Sequence, residues 1–181
     1  MEPRQPRLLD AETLWQYALR ILSGRAYSIG ELREKLRRRA QRAADVDEAL
    51  ARLKDIGYLD DRRFAEGFAT ARLSGDGLGP ARVARDLRRR RVAPALAERT
   101  VARVYQDVDE ESLIEEFIRR KYRMAPREGL FQTGNELAAA YRRLLHAGFQ
   151  PGTVLGVLKR FARNPELLDS FEPPEEGDPE A

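Results

Sequence analysis

Asp60 and Asp61, adjacent in IGYLDDRRFAEGF (residues 56–68), could act as a carboxylate pair in which one group gives a proton and the other takes one. Such a pair needs a substrate pocket and usually a base, a metal or a further acid nearby. None stands at a recognisable spacing. The chain has no cysteine, and its one histidine, His146 in LLHAGF, has no Asp, Cys or second His at ligand spacing. The same residues read fully as a helix start. Asp60 is expected as the N-cap, with Asp61 in the first turn where the helix dipole favours negative charge. Leu59 before the cap and Phe64 four residues into the helix form a hydrophobic staple. This reading accounts for spacing and residue type together, so the chain is read as a non-enzyme with no catalytic, cofactor-binding or metal-binding residue.

The glycines of SGDGLGPAR (residues 74–82) suggest a phosphate-cradling loop, yet no strand precedes them and no Gly-Lys-Ser or Gly-Lys-Thr follows. A flexible linker ending at Gly79 and Pro80, with the proline opening a helix, explains them better.

Charge points elsewhere. Lys and Arg number 33 against 30 Asp and Glu, but seven of the acids lie in the base-free stretch from Glu166 onward. Residues 1–165 therefore carry 33 bases against 23 acids, an excess of ten, and all but four of the bases are arginine, whose planar fork suits phosphate. Two runs concentrate this charge: ELREKLRRRAQR (31–42) has six bases and two acids, and RVARDLRRRR (82–91) has six bases and one acid. A polyanionic partner fits, against the plainer reading of solvated helix faces. Trp15, Tyr17, Tyr27 and Tyr58 could stack on bases. Three of the four also fit apolar helix faces or turns, which favours core packing.

The elements that carry these runs are helices. Apolar residues recur three or four apart nearly throughout, and no stretch alternates long enough for a strand. Anchored on Leu36, Leu87 and Leu144, the offsets −4, 0, +10, +14 and +17 give Leu32, Leu36, Val46, Leu50 and Leu53, then Val83, Leu87, Ala97, Val101 and Val104, then Ala140, Leu144, Val154, Leu158 and Phe161. All fifteen are apolar, where about six are expected at 42% hydrophobic content. With a preceding helix in each case (Trp15, Leu19 and Leu22; Phe64, Phe68 and Arg72; Leu113, Phe117 and Lys121), the pattern predicts three tandem three-helix repeats. The fold class is all-α, an elongated curved array. The expected divisions are a disordered N-terminal arm over 1–10, repeats over 11–59, 60–108 and 109–165, and an acidic disordered tail over 166–181. Stacking would set Arg33, Arg37 and Arg38 beside Arg85, Arg88 and Arg89, with Arg142 and Arg143 continuing the line.

No leader-like apolar run opens the chain and no stretch approaches a membrane span, so a cytosolic protein without a membrane partner is expected.

RAYSIGELREKL, IGYLDDRRFAEGF, GLGPARVARDLRRR, RRKY and LLHAGF, in this order and followed by an apolar helix, resemble the RecX family of RecA regulators over about residues 15–162. GYLDDRRFA and GLGPARVARDL are the most specific parts. The resemblance implies a three-repeat protein that binds the RecA recombinase and the RecA–DNA filament and modulates recombinase activity, usually by inhibition; a monomer without cofactors is expected. The expected nucleic-acid partners are single- and double-stranded DNA, bound with tolerance of sequence. The sequence departs at the third repeat, where TGNELAAAY is alanine-rich and the anchor spacing rises from 51 to 57 residues. A helical DNA-binding repressor is the competing reading, and it accounts only for the basic helices.

Overall fold

The computed structural model describes residues 8–123, 129–164 and 166. Among these residues are nine α-helices: α1 Ala11–Gly24, α2 Ile29–Arg37, α3 Ala43–Asp55, α4 Asp61–Ala71, α5 Pro80–Arg89, α6 Pro94–Val104, α7 Glu110–Tyr122, α8 Gly134–His146 and α9 Pro151–Phe161. The chain is all-α as expected, with two isolated bridges, Leu9 to Ala40 and Phe131 to Ala162, in place of any sheet among the described residues. Residues 1–7 of the expected arm, and all of the acidic tail except Glu166, lie outside the described residues. Residues 8–10 do not share the disorder expected of the arm. Leu9 donates to the Arg39 carbonyl and accepts from Gln41 N–H at 2.6 and 2.9 Å, and the Asp10 side chain caps α1 through Thr13 N–H at 2.9 Å.

Local chemistry fixes the helix limits. Ser28 with Glu31, and Thr133 with Glu136, close reciprocal capping boxes on α2 and α8. Pro94 and Pro151 open α6 and α9, where the missing N–H costs nothing. The helix ends are stereotyped too. After α5 and α8 the residue four beyond the anchor turns left-handed, at Arg91 (φ 60°) and Gly148 (φ 92°). The next residue's N–H then bonds the anchor carbonyl, Val92 to Leu87 at 3.1 Å and Phe149 to Leu144 at 3.3 Å.

Of the fifteen repeat positions, all but Val104 and Phe161 are buried. Those two sit at the ends of the last helices of their repeats and are half-buried. The periodicity therefore reads out directly as a core, with Leu14, Ala18, Ala49 and Leu59 completing the first cluster.

Contacts divide the described chain into two compact units. The first runs to Arg72 and resumes over Val83–Gln106; the second takes Leu73–Arg82 and the chain from Asp107. Within the first unit the N-terminus of α2 abuts the turn after α5. Ser28 Oγ donates to the Arg90 carbonyl, and a Cβ at Gly30 would stand 2.6 Å from Arg91 Cβ. In the second unit the N-terminus of α5 meets the turn after α8 in the same manner, with Gly79 N–H bonded to the Ala147 carbonyl at 2.9 Å and a Cβ at Gly79 only 2.3 Å from the Gly148 oxygen. Glycine there is required by close approach, and Pro80 begins α5. The segment expected as a flexible linker is partly ordered: Arg72–Asp76 continues α4 as a π-helical turn.

Asp60 caps α4, its Oδ1 accepting from Arg62 N–H at 2.8 Å and Arg63 N–H at 3.2 Å. Asp61 does more than complement the dipole: its Oδ1 accepts the Ile29 N–H of α2 at 2.8 Å, joining the two repeats. Leu59 is buried in the first cluster, whereas Phe64 stacks on Phe68 at 6.1 Å. Burial raises the Asp61 pKa against the opposing Ile29 hydrogen bond. The folded chain thus holds that proton more tightly than the unfolded chain, and stability falls as pH rises through the carboxylate range. Asp60→Ala is expected to cost about 1 kcal/mol through the lost cap, and Asp61→Ala about 1–3 through the orphaned Ile29 N–H. Asp61→Asn, which keeps the acceptor and removes the buried charge, is expected to cost less than Asp61→Ala at neutral pH. Urea unfolding of the three variants checks that order.

Candidate nucleic-acid interface

The joint between α2 and α5 in the first unit gathers cations. Arg25, Lys35, Arg38, Arg89 and Arg91 surround a concavity of about 320 Å³ together with Glu31, Glu34 and Tyr27. Two carboxylates organise it. Glu31 takes Arg90 at 2.9 Å and Arg25 at 3.4 Å, and Glu34 takes Arg38 and Arg91. Both glutamates descend from the first turns of α2, whose N-terminus the Ser28 contact pins against the α5 turn. Five cations facing two carboxylates leave the concavity positive, and its charges lie near water where an anion can reach them.

The predicted arginines divide into groups. Arg38 and Arg89 meet at the concavity. Arg33 pairs with Asp47 of α3 at 3.4 Å and Arg88 with Glu98 of α6 at 3.6 Å, both between exposed side chains. Such pairs contribute about 0–1 kcal/mol and give way readily to a phosphate. Arg37, Arg85 and Arg89 make no ion pair or side-chain hydrogen bond within the described residues. Arg142 and Arg143 belong to the second unit and are exposed, Arg143 lying over the Tyr122 ring at 5.4 Å.

Sequence reasoning missed Arg25, Lys35, Arg90 and Arg91. Arg90 and Arg91 were visible only as the end of a charge run; their place follows from the left-handed turn at Arg91. The expectation of core packing fails for Tyr58, which is 60% exposed, and holds for Trp15, Tyr17 and Tyr27, which pack partly buried against the first cluster. His146 is exposed beside Arg82, whose guanidinium reaches both the His146 ring and its carbonyl at 3.2 Å. Among the described residues no group of three or more His, Cys, Asp or Glu is placed to hold a metal, and no helix is long and apolar enough to cross a membrane.

Family models for the first and second three-helix domains of RecX match residues 15–53 and 60–101. The regulatory protein RecX of Syntrophotalea carbinolica is 33% identical over 109 residues, covering 60% of this chain and 71% of that protein. The regulatory protein RecX of Deinococcus radiodurans is 30% identical over 162 residues, covering 88% and 74%. The crystal structure of RecX from Lactobacillus salivarius superposes with a TM-score of 0.63 at 19% identity, over 83% of this chain and 96% of that one, a likeness of fold. Sequence relatives and fold agree with the repeat and with the motifs that flank its turns: the chain belongs to the RecX family of regulatory proteins.

Proposed function

We propose that the chain binds the RecA recombinase and its DNA filament and lowers recombinase, strand-exchange and ATPase activity, with no catalysis of its own. The observation that carries this reading is the run of arginines along α2 and α5: among the described residues Arg37, Arg85 and Arg89 make no ion pair or side-chain hydrogen bond, and Arg33 and Arg88 hold only weak exposed ones. Charge left uncompensated on a folded surface favours a polyanion or an acidic protein surface. The proposed contact set is Arg33, Arg37, Arg38, Arg85, Arg88 and Arg89, with Arg142 and Arg143 in the third repeat. We further propose repeats over 11–59, 60–108 and 109–165, a monomer, and a cytoplasmic location.

Capture of the RecA of the same organism, with and without single-stranded DNA, tests the reading. Retention of RecA, increased by the filament, supports it. Strong preference for one duplex sequence with no RecA retained would instead indicate a repressor.

The acidic stretch bears on the same face through charge. Residues 166–181 bring the net charge of the chain from +10 to +3. Their removal is expected to tighten DNA binding at about 50 mM salt and to lose that advantage as added salt screens exposed charges beyond about 10 Å. Equal affinities of full-length and truncated chains at low salt would contradict this.

A further inference from the structure

Beside the basic concavity lies a larger groove of about 520 Å³, also within the first unit. Its walls are aromatic. Phe64 and Phe68 stack along α4 at 6.1 Å, and Tyr27 and Tyr58 belong to the same lining. Tyr58 is 60% exposed, one of three large apolar side chains so exposed among the described residues; Ile56, 51% exposed, lies two residues away. Its backbone is fixed, because the turn after α3 runs through Gly57 (φ 75°) and bonds Tyr58 N–H to the Leu53 carbonyl at 2.8 Å. An exposed ring on a fixed backbone in the lining of a groove is a ready stacking surface.

The groove and the basic concavity share Arg25 and Tyr27, so one runs into the other. Arg25 covers the Tyr27 ring at 3.6 Å, and Arg63 and Arg90 add cations to the groove. Over the combined surface seven cations face three carboxylates, Glu31, Glu34 and Asp60. An apolar peptide would use the rings and leave most of this charge unanswered. A single nucleic-acid strand supplies an anion and a flat π-face at every step, matching both halves.

We propose that this groove receives an unstacked base of single-stranded DNA, stacked on Tyr58, while the adjoining phosphates run over Arg38, Arg89 and Arg91. The inference rests on the reading that the α2–α5 face meets DNA, and it adds a preference: paired bases in a duplex are already stacked and cannot enter. The groove is thus a selector for single strands next to a phosphate track indifferent to strandedness.

Fluorescence anisotropy with labelled oligothymidylate and with a duplex of equal length tests this on the full chain. Tyr58→Ala is expected to weaken single-strand binding by about 5- to 150-fold, the range for loss of one stacked base, and to leave duplex affinity unchanged. Tyr58→Trp is expected to preserve single-strand binding, and its added indole emission, measured against a parent whose one tryptophan is Trp15, to be quenched by oligothymidylate but not by duplex. Arg38→Glu with Arg89→Glu is expected to weaken both forms. If that double variant loses both forms while Tyr58→Ala loses neither, or loses both equally, the base groove is wrong and the basic face stands. Wild type that binds neither form overturns both readings. Loss of RecA capture by Tyr58→Ala with DNA affinities intact makes the groove a protein anchor and overturns the base assignment.

Discussion

Leu87→Ala is expected to lower stability by about 2–5 kcal/mol, the cost of removing a buried isobutyl group and leaving a cavity. Leu87 has no exposed surface, and its backbone oxygen takes the bond that closes the turn after α5. The side chain lies at the anchor of the second repeat, equivalent to Leu36 and Leu144, which are 0% and 2% exposed. Val104, at offset +17 of the same repeat, is only half-buried, and Val104→Ala is expected to cost less because part of the lost surface already met water. Urea unfolding at constant pH measures both. Equal losses at the two positions would mean that the anchor register does not describe the core.

Charge reversal of Arg88 and Arg89 to glutamate carries the largest expected effect on binding. Arg89 has no partner in the described structure, and Arg88 has only the exposed contact with Glu98 at 3.6 Å, so neither holds the fold together. Circular dichroism is expected to be unchanged. If six to ten phosphates are met, wild-type affinity for DNA falls by about 10³–10⁵ between 50 and 200 mM salt, and losing two contacts lowers the slope of log affinity against log salt by about two. An unchanged slope with weakened filament binding would place these arginines against RecA rather than DNA. An unchanged slope with unchanged filament binding would make them a solvated face.

What was legible in the sequence was whatever depends on local chemistry or on period. Helices, anchors and caps follow from spacing and from residues such as Asp60 and Pro80, which act within one turn of where they stand. The joint between repeats was not legible. That Asp61 accepts from Ile29, or that Glu31 sits between Arg25 and Arg90, depends on contacts 32 and 59 residues apart that no periodicity encodes. Tyr58 misled for a related reason: a tyrosine beside an apolar turn reads as packing, and its 60% exposure follows from the course of the turn after α3, which periodicity does not encode. Arg91 in a left-handed conformation was equally hidden, since the corresponding position in the third repeat is the expected glycine, Gly148. The candidate arginines were found as charge runs. Which of them share a concavity required the fold.

The most direct test of the central claim is the rate of RecA ATP hydrolysis on single-stranded DNA as a function of added chain, wild type against the variant carrying Arg88→Glu and Arg89→Glu. The account predicts that the wild-type chain inhibits in a concentration-dependent manner and that the folded variant requires far higher concentrations or fails to inhibit. Inhibition by the variant at the wild-type concentration would contradict it.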